Sequence, residues 1–212
     1  MSDKIKDQLI EILIEHSRAM YSIISDMGVL YVTWAENSKS NKGILEKKTN
    51  KLIIDIEDAS LIKNQAIKDF SEAITLGLGD WIILIQKMDN LSNLASKFID
   101  LLMYIELRDV NSDINKMYHI SINNILEMAK LLKESLKILR ENPSNVIFNI
   151  NKIHDLSNST DMLFHQFLHY LYKDKELEIR NLLIIRDTVV TLEQFVDKIN
   201  HIIEIIRVLH YE

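Results

Sequence analysis

The sequence predicts an all-α protein of six long antiparallel helices that form two tandem three-helix bundles. The chain of 212 residues has one proline and four glycines, so it carries little of the turn chemistry that separates short elements. Apolar residues make up 47% of it, which is enough for a sizeable core. Several segments repeat apolar residues at alternating three- and four-residue intervals, the spacing of one helix face. A sheet protein would need a turn roughly every 8–12 residues, and the residues for those turns are missing.

Heptad seams place the helices. The C-terminal seam keeps its spacing throughout and consists of Leu182, Ile185, Val189, Leu192, Val196, Ile199, Ile203 and Ile206. A second seam with the same spacing consists of Trp81, Leu84, Met88, Leu91, Ala95, Phe98, Leu102 and Ile105. A third consists of Ile153, Leu156, Thr160, Leu163, Phe167 and Tyr170. A weaker seam indicates a helix earlier in the chain and consists of Ile53, Ile56, Ser60, Ile67 and Phe70.

Breaks between these segments divide the chain into six helices; they fall at residues 40–43, 77–79, 109–113, 142–143 and 173–175. Asn142 is expected to cap the fifth helix, with Pro143 in its first turn, where a missing amide proton costs nothing. Ser112 or Asp113 is expected to cap the fourth. The break at 109–113 separates three helices from three. It predicts two similar halves, residues 1–110 and 111–212, packed as one elongated unit because long helices with short connections pack antiparallel.

Charge and composition narrow the classes of partner. The net charge is −6, and acids and bases are interspersed, so no positive field favours nucleic acid. The absence of cysteine excludes a disulfide framework and thiolate metal sites. The first residues lack the apolar region of a signal peptide, and apolar runs such as 81–85 are far shorter than the roughly 20 residues that cross a bilayer. We therefore expect a cytoplasmic protein.

Two ladders of ionisable residues lie beside the last two seams, because residues four apart stand above one another on a helix. One ladder is Glu193, Asp197 and His201, and the other is Asp161, His165 and His169. If the fifth and sixth helices are antiparallel neighbours, these flanks face each other and gather carboxylates and imidazoles around a hard or borderline cation. The alternative is that both are ordinary solvated helix faces, with the histidines covering the edge of the core.

A related stripe recurs beside the other seams. Shifting the third seam by 36 residues superposes it on the C-terminal seam, and the second and weaker seams carry acids in similar places. The matching residues are Asp161 with Asp197, His165 with His201, and, on the two earlier helices, Asp89 and Glu57. This match supports two related halves. Asp89 is interpreted either as a ligand or as an ordinary acid of the helix surface.

Signatures of several enzyme classes are missing from the sequence. It contains no Glu-x-x-His, which carboxylate-bridged di-iron bundles need on two helices. It also contains no His-Glu-x-x-His, no phosphate-binding Gly-x-x-x-x-Gly-Lys and no Gly-x-Ser-x-Gly. We therefore expect a protein that binds partners or ions and does not catalyse a reaction.

These spacings resemble the PhoU-like family, in particular the phosphate-uptake regulators associated with Pit-type phosphate transporters. The resemblance runs from about Ile14 to Tyr211 and rests on the helix layout and on paired Glu-x-x-x-Asp motifs. Glu193 and Asp197 match that motif fully. The other matches are partial: Asp161 with Ser157 in place of the glutamate, Glu57 with Leu61 in place of the aspartate, and Asp89 as the central aspartate of the third helix.

The resemblance implies two tandem three-helix bundles whose acids are similar to ligands of iron or zinc clusters. The C-terminal half keeps the fuller set, which suits a single ion or a small cluster: Asp161, His165, Glu193, Asp197 and His201. The N-terminal half keeps only Glu57 and Asp89, so a metal cluster there is less expected.

Three functions are open at this point. The resemblance implies a cytoplasmic accessory or regulatory protein of phosphate transport, which docks its helix faces on a transporter or a signalling partner and meets the membrane only through that partner. The second is a metal-binding bundle whose ion is structural or a sensor. The third is an oligomeric helical scaffold unrelated to phosphate. Excess apolar surface on long helices also predicts a homodimer.

Overall fold

The computed structural model describes residues 2–36, 42–70, 78–106 and 110–209. These residues form six α-helices and one 3-10 turn, with no strand among them. The helices are α1 (Ser2–Ala35), α2 (Lys42–Asp69), α3 (Gly79–Leu102), α4 (Ser112–Glu141), α5 (Val146–Lys173) and α6 (Ile179–Leu209). The all-α, six-helix prediction is confirmed. Parts of three predicted breaks, at residues 40–41, 77 and 109, lie outside the described residues.

Four helices form the centre of the molecule and two lie outside it. α1 and α6 each pack against both α3 and α4, so these four helices share one core. α2 packs on α1 and α3, and α5 packs on α4 and α6. The first three helices and the last three thus form comparable trios, joined by α1 against α4 and by α3 against α6. This is the predicted pair of three-helix bundles.

Close contact between α1 and α4 depends on Gly28. This glycine is buried, and a Cβ atom at its position would lie 3.3 Å from side-chain atoms of both Ile122 and Leu126. At the other end of the same helix pair, Arg140 Nη2 lies 3.3 Å from Glu11 Oε1. The two contacts show that α1 and α4 run antiparallel along most of their length.

The predicted seams have mixed outcomes. Every residue of the α3 seam is buried, and so is the α6 seam from Ile185 onward. In α5 the seam is only half right, because Leu156, Leu163 and Tyr170 are half-buried at the edge of the core. The positions that complete the α5 core are Ser157, Phe164 and Leu171.

The weaker seam assigned to α2 is wrong at Ile53, whose side chain is 46% exposed. Leu52, Ala59 and Ala66 are the buried residues of this helix. Two of the three are alanines, and the spacing of large apolar side chains does not reveal a core face made of alanine. Small residues let α2 lie close against α1 and α3.

Two helix starts also differ from the prediction. Asn111 caps α4, because its side-chain oxygen accepts hydrogen bonds from the backbone amides of Asp113 and Ile114. The side chain of Asn142 makes no capping hydrogen bond. Pro143 instead begins a 3-10 turn, Pro143–Asn145, that leads into α5.

The α3 helix ends at Leu102, and Ile105, the last residue of the predicted seam, is buried in the turn that follows.

A cluster of aromatic rings connects the two trios. The ring centroids of Tyr31 and Tyr118 lie 5.4 Å apart, and Tyr118 also contacts Phe98 at 6.3 Å and Phe167 at 5.0 Å. These residues come from α1, α3, α4 and α5, so one cluster joins helices of both halves.

Among the described residues, no helix combines the length and apolar character needed to cross a membrane.

Candidate functional site

The flank shared by α5 and α6 carries most of the predicted ligands. The two helices pack as antiparallel neighbours, as hydrogen bonds and an ion pair between them show. Asn200 Nδ2 donates to Ser157 Oγ at 2.5 Å, and His154 Nε2 lies 2.9 Å from Glu204 Oε1. This register places Asp161, one turn beyond Ser157, toward the part of α6 that precedes Asn200.

Electrostatics shows that four of the predicted ligands come together there. Partial burial raises the pKa of Asp161, the charge of Asp197 raises it further, and the His165 imidazole opposes both effects. Partial burial likewise raises the pKa of Glu193, with further increases from Asp197 and Asp161 and an opposing effect of His165. We call Asp161, His165, Glu193 and Asp197 the acid cluster. Its three carboxylates repel one another, so it would gain from a positive charge placed among them.

The remaining histidines of the ladders lie apart from this cluster. His201 is exposed on α6 one turn past Asp197, and it is not among the groups that shift the pKa of Asp161 or Glu193. His169 lines a surface cavity of about 680 Å³ at the C-terminal end of α5, together with Lys173 and Lys175. Ser157, which occupies the position of a motif glutamate, is buried and bonded to Asn200.

The acid cluster fits a cation by its chemistry and not by its spacing. Carboxylates and an imidazole suit a hard or borderline metal ion. Within the part of the chain that the structure describes, however, no group of three or more histidine, aspartate or glutamate side chains is arranged to hold a metal ion. A cation there would need the side chains of the cluster to reorient toward it.

Asp89 occupies a different environment from a surface acid. Asp89 is only 5% exposed, and Lys63 Nζ donates a hydrogen bond to Asp89 Oδ2 at 2.5 Å. Ser60 Oγ donates to Oδ1 at 3.3 Å. Burial alone would raise the pKa of Asp89, but His16 and Lys63 more than offset it, and the pKa is lowered. Asp89 is therefore engaged in a buried ion pair between α2 and α3.

His16 is the residue of this network that the sequence reading missed. It is fully buried, and neither ring nitrogen has a hydrogen-bond partner among the described residues. His16 Nε2 lies 3.7 Å from Asp89 Oδ1, which is within ion-pair range and too long for a hydrogen bond. The signal was present in the sequence, because His16 interrupts an apolar seam of three-four spacing: Leu9, Leu13, Met20, Ile23 and Met27.

Glu57 is exposed on α2 and is not among the described groups that contact Asp89. The pair predicted for the N-terminal half is thus not brought together, whereas the C-terminal set is brought together except for His201. The structure therefore distinguishes the halves. One holds its aspartate in an internal ion pair, and the other leaves three carboxylates close together at the surface.

Comparison with solved structures finds the same fold in PhoU-like proteins. A PhoU-like protein from Shewanella oneidensis superposes with a TM-score of 0.78 at 13% sequence identity, over 96% of this chain and 99% of that one. A second PhoU-like structure from the same organism, proposed to be a phosphate regulatory protein, gives 0.68 at 14% identity, over 95% and 98% of the two chains. The chain has a PhoU-like fold. Its sequence matches no protein-family model, and comparison with curated protein sequences also gives no match.

Proposed function

We propose that this chain is an accessory protein of phosphate transport, of the branch that works with Pit-type transporters, and that it acts by binding. The observation that carries the proposal is the PhoU-like fold, shared over nearly the whole length of both chains. An end-to-end match supports a common mode of action better than a match of one helical pair would. The protein binds the cytoplasmic side of a transporter or its signalling partner and makes or breaks no bond.

The outer face of α2 is the contact surface that we favour for the transporter. Ile54 and Leu61 are 56% and 64% exposed. They are seven residues apart, which places them on one face two turns from each other. Exposed apolar side chains in a row suit the apolar stripe of a partner helix. The net charge of −6 adds a general attraction, because cytoplasmic loops of membrane proteins carry an excess of lysine and arginine.

Deletion of the gene combined with measurement of phosphate uptake tests the function. We expect altered uptake under phosphate-rich or phosphate-starved conditions, restored by the wild-type gene. Unchanged uptake under both conditions would contradict the proposal.

Co-purification with the Pit-type transporter of the same cell tests the surface. Ile54→Asp combined with Leu61→Asp should reduce recovery of the transporter at least tenfold. Ile179→Asp is the matched control, because Ile179 is also an exposed apolar residue, at 73%, and lies at the start of α6. Equal recovery with both variants would remove α2 from the contact and leave the function to be decided by uptake.

A second candidate function, cation binding by the acid cluster, is supported by the register of α5 and α6, which brings carboxylates of both helices to one flank, where the charge of Asp197 acts on both Asp161 and Glu193. Iron and zinc are the metals to test. Elemental analysis of protein purified without chelator should find metal near one equivalent, and Asp161→Ala with Asp197→Ala should remove it. Absence of stoichiometric metal from the wild-type protein would end this candidate and leave the transport proposal intact.

A further inference from the structure

The outward face of α5 carries a second heptad stripe, opposite the one that packs in the core. Its eight members are all exposed and follow three-four spacing without a break: Phe148, Asn151, Asp155, Asn158, Met162, His165, His169 and Tyr172. The apolar members are 63%, 62% and 59% exposed at Phe148, Met162 and Tyr172. The stripe is about 36 Å long. We call it the α5 stripe.

The fold leaves this stripe free for a partner. α5 is an outer helix that packs on α4 and α6. Its buried residues, such as Ile153, Thr160 and Phe167, lie on the opposite side of the helix. Three-four spacing is the pattern by which one helix packs against another in a coiled coil. Three-four spacing therefore lets this stripe face a second helix, and the chemistry of its residues decides which helix fits it.

We propose that two copies of this chain pair through their α5 stripes, antiparallel, about a two-fold axis that passes between the two helices at the level of residue 160. Around such an axis each stripe residue faces a defined partner in the other copy. The layers are Phe148 with Tyr172, Asn151 with His169, Asp155 with His165, and Asn158 with Met162, each formed twice.

The chemistry of these layers is self-complementary. Two aromatic rings meet at each end of the contact, Phe148 against Tyr172. Asp155 meets His165, which provides a carboxylate and an imidazole that can bond, and Asn151 can hydrogen-bond His169. On its own chain His165 also faces Asp161 and Glu193.

The equivalent outer helix, α2, does not have this property. Its outward residues at three-four spacing are also exposed: Lys47, Asn50, Ile54, Glu57, Leu61, Asn64 and Lys68. Antiparallel self-pairing places Ile54 and Leu61 against polar residues in either register, for example Leu61 against Glu57. Both outer helices expose apolar residues, but only α5 places two of them, Phe148 and Tyr172, against each other in a second copy. This contrast identifies α5 as the contact between copies and leaves α2 for a different protein.

Cysteine cross-linking tests both the surface and its register, because the natural chain contains no cysteine. Asn158→Cys protein is mixed with differently tagged Met162→Cys protein and oxidised, or treated with a short thiol cross-linker. We expect the mixed dimer to form at least fivefold faster than either self-linked dimer. The matched control is Ile54→Cys mixed with Leu61→Cys on α2, which should form no cross-link above background.

Two results would overturn the proposal. One is cross-linking on α5 no faster than on α2. The other is a predominance of Met162→Cys linked to itself, which would indicate parallel pairing. Circular dichroism of each variant confirms folding, and the substituted side chains are all exposed.

Sedimentation equilibrium provides an independent measurement on cysteine-free protein. The wild-type protein should show a mass that rises with concentration from that of a 24.8 kDa monomer. Phe148→Lys and Tyr172→Glu should each weaken the dimer at least tenfold, and the double variant should recover much of the loss, because Lys then faces Glu across the axis. A wild-type protein that stays monomeric, or a double variant weaker than both single variants, would contradict the pairing. Neither result bears on phosphate uptake, so failure here is distinguishable from failure of the transport function.

Discussion

At the residue scale, the two halves of the molecule handle their acids in opposite ways. Asp89 is buried and its charge is balanced by Lys63, whereas Asp161 and Glu193 lie near the surface beside a third carboxylate. Spacing alone placed all three acids beside apolar seams, and that part is right. It could not show which acid would receive a lysine, because Lys63 belongs to a different helix and reaches Asp89 only in the folded chain.

Asp89→Asn should lower the free energy of unfolding by about 2–3 kcal/mol, because the substitution leaves the Lys63 ammonium in a mostly buried site without an opposing charge. Asp26→Asn is the matched control. Asp26 pairs with Lys51, whose side chain is 61% exposed, so its loss should cost less than about 1 kcal/mol. Urea unfolding at neutral pH measures both. Equal losses would show that the buried pair contributes no more than a surface pair.

Acid should abolish the difference between the wild type and Asp89→Asn. The pKa of Asp89 is lowered in the folded state, so its stabilising contribution is present above the ordinary pKa of an aspartic acid. The contribution is lost as the pH falls through the lowered value. Unfolding free energies measured from neutral pH downward should therefore converge in strong acid.

Asp161→Asn should have the opposite sign. The pKa of Asp161 is raised by burial and by Asp197, so its ionised form costs stability at neutral pH. Removing that charge should raise the unfolding free energy by a few tenths of a kcal/mol, a small value because the site is partly solvated. The gain should vanish as the pH falls below the ordinary carboxyl range, where the wild-type side chain is already protonated. Asp187→Asn, at an exposed acid elsewhere on α6, is the matched control and should change the unfolding free energy little at neutral pH.

At the scale of the helix, large apolar residues predict well which side of a helix faces the core. Small and polar residues predict the core side and the helix caps poorly. The seams of α3 and α6 are made of large side chains and were predicted almost completely. The core side of α2 is made of Leu52 and two alanines, so the spacing of large side chains wrongly predicts exposed Ile53 as a core residue. The helix caps followed the same rule. Several polar residues near each break are able to cap the helix that follows. Only the backbone path decides which of their side chains reaches the free backbone amides.

Asn111→Ala should therefore cost about 1 kcal/mol of unfolding free energy, whereas Asn142→Ala should cost much less. Asn111 accepts hydrogen bonds from two backbone amides at the start of α4, and its amide also donates to the Tyr170 hydroxyl at 2.8 Å. The side chain of Asn142 makes no such capping bond. Thermal or urea unfolding of the two variants side by side makes the comparison. A larger loss of unfolding free energy for Asn142→Ala than for Asn111→Ala would contradict this prediction and would support Asn142 as a helix cap.

At the scale of the whole molecule, the helix count and the pairing into trios followed from sequence, because heptad seams force long helices to lie side by side. The sequence also predicts that the two halves, residues 1–110 and 111–212, pack as one elongated unit, and cooperative unfolding of both trios would test that prediction. The packing of α1 on α4 and of α3 on α6 opposes independent behaviour. So does the aromatic cluster, in which Tyr118 of the second trio touches Tyr31 and Phe98 of the first.

Ile199→Ala should consequently destabilise both trios together. Ile199 is fully buried on α6, and truncating it should cost about 2–5 kcal/mol through the cavity that remains. Both tryptophans, Trp34 on α1 and Trp81 on α3, are buried in the first trio, so their fluorescence reports on the half that lacks the substitution. Circular dichroism reports on all helices. If the trios unfold as one cooperative unit, the two signals should shift to lower denaturant by the same amount and remain coincident. A fluorescence midpoint that stays at the wild-type value while the circular dichroism signal splits into two steps would show that the trios unfold separately.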